Sequence, residues 1–375
     1  MKILYISKSF IPSRMANSIH VMKMCQAFSD NGHDVVLIAP HLKNQYENDV
    51  DDIYEYYGVR KNFKIKKLWH PNLKCGAFLY TIAIFFYLLL SKKFDLIYGR
   101  FLHGCFVATL LKNKVIFESH EAIFEKKNHR LKVFKKLIKY KNFKKLIVIS
   151  QVLKNMYLEN GYLNDSKIQV AHDGADQVEN FESRIRLLGL NDDLKVGYVG
   201  HLYKGRGIET IIECAKKIND MSFHIVGGLK EDIEYWENYL KNLNLNNVYF
   251  YGFVPPKETI RYRNSFDIVL APYEKKVSIE GFGDSSKFMS PIKIFEYMSH
   301  KKPIVATDLP VIREVLNDKN SILVECENIE LWVSSINKLK NEKVRDFIAN
   351  QALIDFYSYS WKNRASHVIK KLNVC

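Results

Sequence analysis

The sequence predicts two doubly wound α/β domains in tandem, each a parallel sheet flanked by helices. Three observations carry that reading. The chain has 375 residues, more than one ordinary hydrophobic core takes up. Short runs rich in β-branched residues alternate with helical stretches along its length. A polar, turn-rich segment, "AHDGADQVENFES" (171–183), interrupts the alternation near the middle. The expected division is 1–178 and 179–356, with a final helix at 357–375 returning to the first domain.

The elements follow in order. "KILYIS" (2–7) opens as an apolar strand, and "SIHVMKMCQAFSDNG" (18–32) reads as a helix stopped by Asn31-Gly32. "HDVVLIAP" (33–40) is the next strand. "CGAFLYTIAIFFYLLL" (75–90) carries no charge over 16 residues. That is short of the roughly 20 that span a bilayer, so a helix buried in the domain or lying in a membrane interface is expected. "DLIYGR" (95–100), "KVIFESHE" (114–121) and "KLIVIS" (145–150) complete the first set of strands. The second half repeats the grammar, with strands at 194–200, 222–228, 247–254, 267–273, 303–308 and 321–325 and helices between them.

Composition narrows the class. An apolar content of 47% and a charged content of 26% describe a globular chain with a large core. Six scattered cysteines without C-x-x-C spacing read as reduced thiols of a cytoplasmic protein. No signal peptide precedes the first strand. The net charge of +15 is uneven: residues 1–178 hold 28 Lys and Arg against 15 acids, whereas residues 179–375 hold 28 against 26. Much of the excess lies in "EKKNHRLKVFKKLIKYKNFKKL" (125–146), which reads either as a solvated helix face or as a surface for anionic lipid or nucleic acid.

The densest chemistry sits in "VGYVGHLYKGRGIETIIECAKKI" (196–218). A strand closes at Gly200, a turn carries Lys204 and Arg206 among Gly205 and Gly207, and an amphipathic helix follows. Helix amides, a dipole end and two cations together read either as a solvated basic turn or as an anion site, most simply for a diphosphate. The turn is neither a dinucleotide fingerprint nor a Walker loop. In "SPIKIFEYM" (290–298), Lys293 and Glu296 share a helix face. They read either as a surface ion pair or as a ligand-facing pair in which Glu296 takes a ribose diol. "DVDD" (49–52) reads as a solvated acidic turn. No His/Cys cluster has zinc spacing.

Taken in order, "GHLYKGRGIETIIE", "FHIVGG", "YFYGFV", "FDIVLAPY" and "SPIKIFEYMSHKKPIVATDLP" resemble the second domain of the retaining, GT-B-fold glycosyltransferases of family 4, the glycosyl transferases group 1. "VIFESHE", "LIVISQVLKNMYLENG" and the tail "YSYSWKNRASHVIKKL" extend the resemblance over the whole chain. It implies a UDP- or GDP-sugar donor on the second domain and a glycan or lipid-linked acceptor on the first. No metal or other cofactor and no nucleic acid is implied, and the cytoplasmic face of the inner membrane is a candidate surface. Arg206 and Lys204 would hold the diphosphate beside Gly200, His201 and Gly207, with Ser290 and Lys293 at the opening of the second motif. Glu296 would take the ribose. Phe253 and Val254 would meet the base edge, with Gly227 and Gly228 giving room. His120 would contact the sugar, Arg100 would face it, and Asn17 or Ser18, in the loop 13–18, would donate hydrogen bonds.

Three departures stand out. His201 replaces a frequent Arg, which shifts the second cation to Lys204. Ala16-Asn17-Ser18 replaces Gly-Gly. Phe288 replaces a frequent Glu, so its sugar contact would come from backbone amides, Asp284, Ser285, Ser286 or Lys287, and the similar "EGFG" (280–283) sits eight residues early. Other readings of the sequence are a sugar-nucleotide epimerase of the same architecture, a non-catalytic partner subunit, and a basic nucleic-acid-binding protein.

Overall fold

The computed structural model describes residues 1–41, 47, 49–125, 129–189, 193–279 and 283–370. Two compact units divide the chain: Met1–His172 together with the segment from Trp361, and Asp173–Ser360. The crossings therefore fall at 172/173 and 360/361, a few residues from the 178/179 and 356/357 that the sequence suggested. Local bonding explains the shift. The Asp173 amide donates to Ser290 Oγ (2.8 Å), and Ala175 bridges Ser360, so both ends of the connection belong to the second unit.

The first unit runs β1 (Lys2–Ile6), α1 (Ala16–Asp30), β2 (Asp34–His41), α2 (Ile53–Tyr57), β3 (Lys64–Trp69), α3 (Gly76–Leu90), β4 (Leu96–Gly99), α4 (Leu102–Leu110), β5 (Val115–Ser119), α5 (His129–Leu137), β6 (Phe143–Val148), α6 (Gln151–Glu159) and β7 (Ile168–Val170). Its parallel sheet has the order β3-β2-β1-β4-β5-β6-β7 among the described residues. Ile3 pairs with both Val35 and Leu96. Central strands such as β4 and β5 are buried throughout, which is why they read as unbroken apolar runs. The edge strands β3 and β7 escaped the sequence reading. β3, "KIKKLW", has lysine at three of its six positions and so lacks the β-branched signature, a composition suited to an exposed edge.

Helix α1 starts at Ala16, two residues before the expected start. Asp52 of the acidic "DVDD" turn caps α2 by accepting from the Tyr54 and Glu55 amides, and it pairs with Lys61 at 2.8 Å. Helix α3 buries one face through Gly76, Tyr80 and Ile84, with the Tyr80 hydroxyl donating to the Ser7 carbonyl (2.7 Å). Its other face is exposed. No helix among the described residues is long and apolar enough to cross a membrane.

The second unit runs β8 (Leu194–Val199), α7 (Ile208–Lys217), β9 (Met221–Val226), α8 (Lys230–Asn242), β10 (Val248–Phe250), α9 (Thr259–Ser265), β11 (Ile268–Ala271), a small hairpin of β12 (Ser278–Ile279) and β13 (Gly283–Asp284), α10 (Ile292–Ser299), β14 (Ile304–Thr307), α11 (Pro310–Arg313), β15 (Ile322–Val324), α12 (Ile329–Lys338) and α13 (Glu342–Phe356). The parallel order is β10-β9-β8-β11-β14-β15. Helix α7 buries Ile208, Ile211, Ile212 and Ala215, spaced as one helical face. Each isoleucine contributes roughly 2 kcal/mol by leaving water. The chain then re-enters the first unit as α14 (Trp361–Ile369), which packs on α1.

Candidate functional site

In the second unit, the loops after β8, β9 and β10 gather at the carboxyl end of the sheet. The β8–α7 turn is shaped by its own domain. Gly207 caps α7 with φ +76°, and a Cβ there would collide with the Pro272 carbonyl oxygen. The turn is further held by the Glu274 amide on the Gly205 carbonyl (3.1 Å) and the Ser278 amide on the Lys204 carbonyl (3.2 Å). The glycines of "KGRG" thus admit the 272–278 segment, and α7 is left pointing its amide end at the turn.

Two cations meet behind this turn. Arg206 sets its guanidinium 5.5 Å from the centre of the Tyr273 ring, and its Nε is buried without a hydrogen-bond partner. Lys293, from α10, is 9% exposed and places its Nζ 3.6 Å from the Tyr198 ring centre and 5.3 Å from that of Tyr273. That Nζ also lacks a hydrogen-bond partner. It occupies the space that a side chain on Gly200 would need, 2.7 Å from the position of a Cβ there. Burial, then the neighbouring Arg206 charge, pushes the Lys293 ammonium well below the ordinary lysine range, with Glu296 opposing. The surface ion pair between Lys293 and Glu296 is not formed. Lys204 is exposed, and its charge partly offsets the rise that burial gives the Glu274 carboxyl. The cation found beside Arg206 is therefore Lys293, a residue 87 positions away in sequence, where spacing had pointed to Lys204.

Glu296 is half-buried, and its Oε2 lies 3.2 Å from Arg263 on α9. Arg263 is itself buried and donates to Thr259 Oγ1 (2.9 Å). The Gly227 amide donates to the Gly252 carbonyl (2.7 Å), which ties the loop after β9 to the loop that carries Phe253 and Val254. His201 stacks on Tyr203, with ring centres 4.8 Å apart. Ser290 Oγ accepts the Asp173 amide. Phe288 is buried at the position of the missing glutamate. Of its suggested substitutes, Asp284 accepts the Val277 and Ser286 amides (3.0 and 2.9 Å) and Ser285 Oγ donates to the Val277 carbonyl (3.3 Å). Both hold the loop together. Lys287 is exposed. Residues 280–282 of "EGFG" lie outside the described residues.

In the first unit, His120 follows β5 and its Nε2 lies 2.5 Å from Oε1 of Glu118. That carboxylate is buried and serves as a hub. His20 Nε2 lies 3.0 Å from the same oxygen, Arg364 on α14 donates to it at 2.9 Å, and the Tyr98 hydroxyl donates to Oε2. Burial alone would raise the Glu118 carboxyl; Arg364, His20 and the histidine hydrogen bonds together hold it well below the usual carboxylate range. His20, Glu118 and His120 come within ligating reach of a metal ion, a grouping that linear spacing did not show. The Arg364 guanidinium is seated on the oxygen both histidines face, so a cation already fills that place. Arg364 also donates to the His172 and Ala171 carbonyls (2.7 and 3.0 Å).

The loop 13–18 differs from expectation. Ser18 is fully buried, and its hydroxyl donates toward the Ser13 and Met15 carbonyls (2.9 and 2.8 Å) while accepting from Tyr57 (2.9 Å). That engagement makes it a brace of the loop and not an outward donor. Asn17 is exposed, and its carbonyl accepts from Arg100 (3.4 Å). Sequence reasoning missed Glu118, His20 and Arg364. The alternation in "ESHE" places Glu118 and His120 on one side of the strand, but nothing local announces the arginine 246 positions later.

With this geometry in place, the comparisons with known proteins are informative. Residues 18–178 match the family described as Glycosyltransferase Family 4, and residues 193–342 match Glycosyl transferases group 1. An uncharacterized glycosyltransferase of Methanocaldococcus jannaschii is 25% identical over 96% of this chain and 95% of its own. The capsular polysaccharide biosynthesis glycosyltransferase CapM of Staphylococcus aureus is 26% identical over 55% of this chain and 54% of its own. The Anabaena protein HepE, solved in complex with UDP, superposes with a TM-score of 0.75 at 15% identity, covering all of both chains. Each unit thus matches a glycosyltransferase family model, and over its full length the chain has the two-domain GT-B fold of that solved structure.

Proposed function

We propose that this glycosyltransferase moves a sugar from a nucleoside-diphosphate sugar, UDP- or GDP-linked, to a glycan or lipid-linked saccharide in surface-polysaccharide synthesis, with retention at the anomeric carbon. One observation carries the reading: two buried nitrogens of basic side chains, Arg206 Nε and Lys293 Nζ, stand without hydrogen-bond partners around the Tyr273 ring, close to the amide end of α7. Burying such charge unsatisfied is costly unless an anion completes it. A diphosphate leaving group does so, and its charge grows as the glycosidic bond breaks, so the fixed cations stabilise the transition state more than the ground state. HepE has been solved with UDP and with UDP-glucose, and CapM belongs to capsule synthesis, which supports the donor and the pathway class.

In this reading Arg206 and Lys293 hold the diphosphate. Glu296, oriented by Arg263, accepts the ribose hydroxyls, and Phe253-Val254 meet the base. His120, oriented by Glu118, contacts the sugar. No metal is assigned a role, because the paired cations supply the charge. A retaining course lets the departing phosphate take the acceptor proton on the face it leaves. The cytoplasmic face of the inner membrane is the proposed working place.

The test is a thermal-shift series with UDP, GDP, ADP and their sugars. A ligand at a hundred times its dissociation constant stabilises by about 2.7 kcal/mol. A shift is expected with UDP or GDP and their sugars; no shift with any nucleotide sinks the reading. Arg206→Ala should keep the fold and lower kcat/KM by about a hundredfold or more. The anomeric configuration of the product, read by NMR, decides retention against inversion.

A further inference from the structure

Helices α3, α4 and α5 form a row in the first unit, α3 packing on α4 and α4 on α5. Two features of this row remain outside the chemistry above. The first is an uncovered apolar stripe on α3. Phe78, Ile82, Phe86 and Leu90 follow one another every four residues, with Leu89 beside them, and are 66%, 36%, 55%, 87% and 53% exposed in that order. The helix's remaining face, through Tyr80 and Ile84, already reaches the core, so the stripe is surplus to folding. Five large apolar side chains contiguous on one surface mark an interaction site.

The second feature is charge. Residues 76–94, 102–117 and 129–158 contain no Asp or Glu. The exposed cations in and beside the row are many: Lys74 before α3, Lys92 and Lys93 after it, Lys112 after α4, and Lys132 and Lys136 on α5. The amphipathic α5 directs Leu131, Phe134 and Leu137 inward and its lysines outward.

We infer that the α3 stripe lies in the interface of an anionic lipid bilayer, with the lysines around it on the headgroups. The chemistry selects this occupant. An apolar stripe whose helix and neighbouring helices carry exposed lysines and no acid fits acyl chains beneath anionic headgroups. A second copy docked on the same face would bring lysine rows against lysine rows. Nucleic acid would meet the lysines but would leave the phenylalanines and leucines in water. A 15-residue helix is about 22 Å long and uncharged throughout, so it can lie along the interface and is too short to cross it. The inference names the surface behind the membrane placement proposed above, and it stands on this face independently of the donor site.

The experiment is co-sedimentation of the full chain with vesicles of phosphatidylcholine alone and of phosphatidylcholine with phosphatidylglycerol. Binding to the anionic vesicles is expected, with little to the neutral ones, and about 0.5 M salt should weaken it strongly. The triple variant Phe78→Ser, Phe86→Ser, Leu90→Ser should lose at least about tenfold in partition. Lys92→Ser with Lys93→Ser should lose about fivefold per lysine at low salt. Both variants change only exposed side chains, so their circular dichroism and nucleotide-induced thermal shift should match the parent's; this separates failure of the surface from failure of the donor site. Absence of binding to anionic vesicles, or equal binding by the triple variant, overturns the inference. So does a dimer, seen by sedimentation velocity, that the triple variant converts to monomer.

Discussion

Lys293 concentrates the physics of the donor half-site in one side chain. A lysine whose folded-state value is depressed binds fewer protons folded than unfolded between that value and the ordinary 10.5. Across that window, stability of the nucleotide-free protein therefore rises with pH. A bound diphosphate restores the charged form, so UDP binding should take up a proton within the window and weaken as pH rises through it. Isothermal titration in buffers of different ionisation enthalpy reads the uptake directly. Lys293→Met should abolish it and weaken UDP by roughly ten- to a hundredfold, the worth of a charge-assisted hydrogen bond. The same substitution should leave stability unchanged or raise it by up to about 2 kcal/mol, because it removes an uncompensated buried charge. Much of this half-site was legible: Arg206, Gly207, Lys293 and Glu296 stand in two short motifs. What could not be read was which lysine partners Arg206. Lys204 is adjacent in sequence but turned outward, whereas Lys293 arrives from another helix through the gap that Gly200 leaves.

Legibility at the level of elements follows burial. The inner strands and α7 announce themselves because both faces of the strands, and one stripe of the helix, are apolar. The edge strands β3 and β7 are short or lysine-rich, and no local pattern separates them from loops. Helix α3 was legible as an apolar helix, and it buries one face through Gly76, Tyr80 and Ile84 while exposing the other. The β8–α7 turn shows an element whose geometry is set by its neighbour. Gly207→Ala adds a methyl at positive φ against the Pro272 carbonyl. It should destabilise the second unit by about 1–3 kcal/mol and misdirect the α7 amides. The check pairs chemical denaturation with UDP titration. A loss of affinity larger than the change in stability accounts for would show that the turn, and not the unit as a whole, has been disturbed.

At the scale of the molecule, the sequence foretold two sheets of one grammar and a tail that returns. The hub that gives the return its meaning was hidden, since Glu118, His20 and Arg364 are assembled from three distant segments. Removing residues 361–375 should destabilise the first unit by about 3–5 kcal/mol, because it strips the arginine from a buried carboxylate and uncovers α1. Arg364→Met in the intact chain should cost less than the deletion, since it keeps the packing of α14. Hydrogen exchange should show lost protection in β1, β5 and α1 while the second unit's strands stay protected. Equal exchange in truncated and intact chains would contradict the role assigned to α14.

That late arginine also sets an order of manufacture. On a ribosome the first unit emerges first, yet its buried carboxylate has no guanidinium until some 190 further residues have been made. The unit that begins folding first waits on a segment made after the second unit, and only a chain translated past Arg364 can close the hub at Glu118.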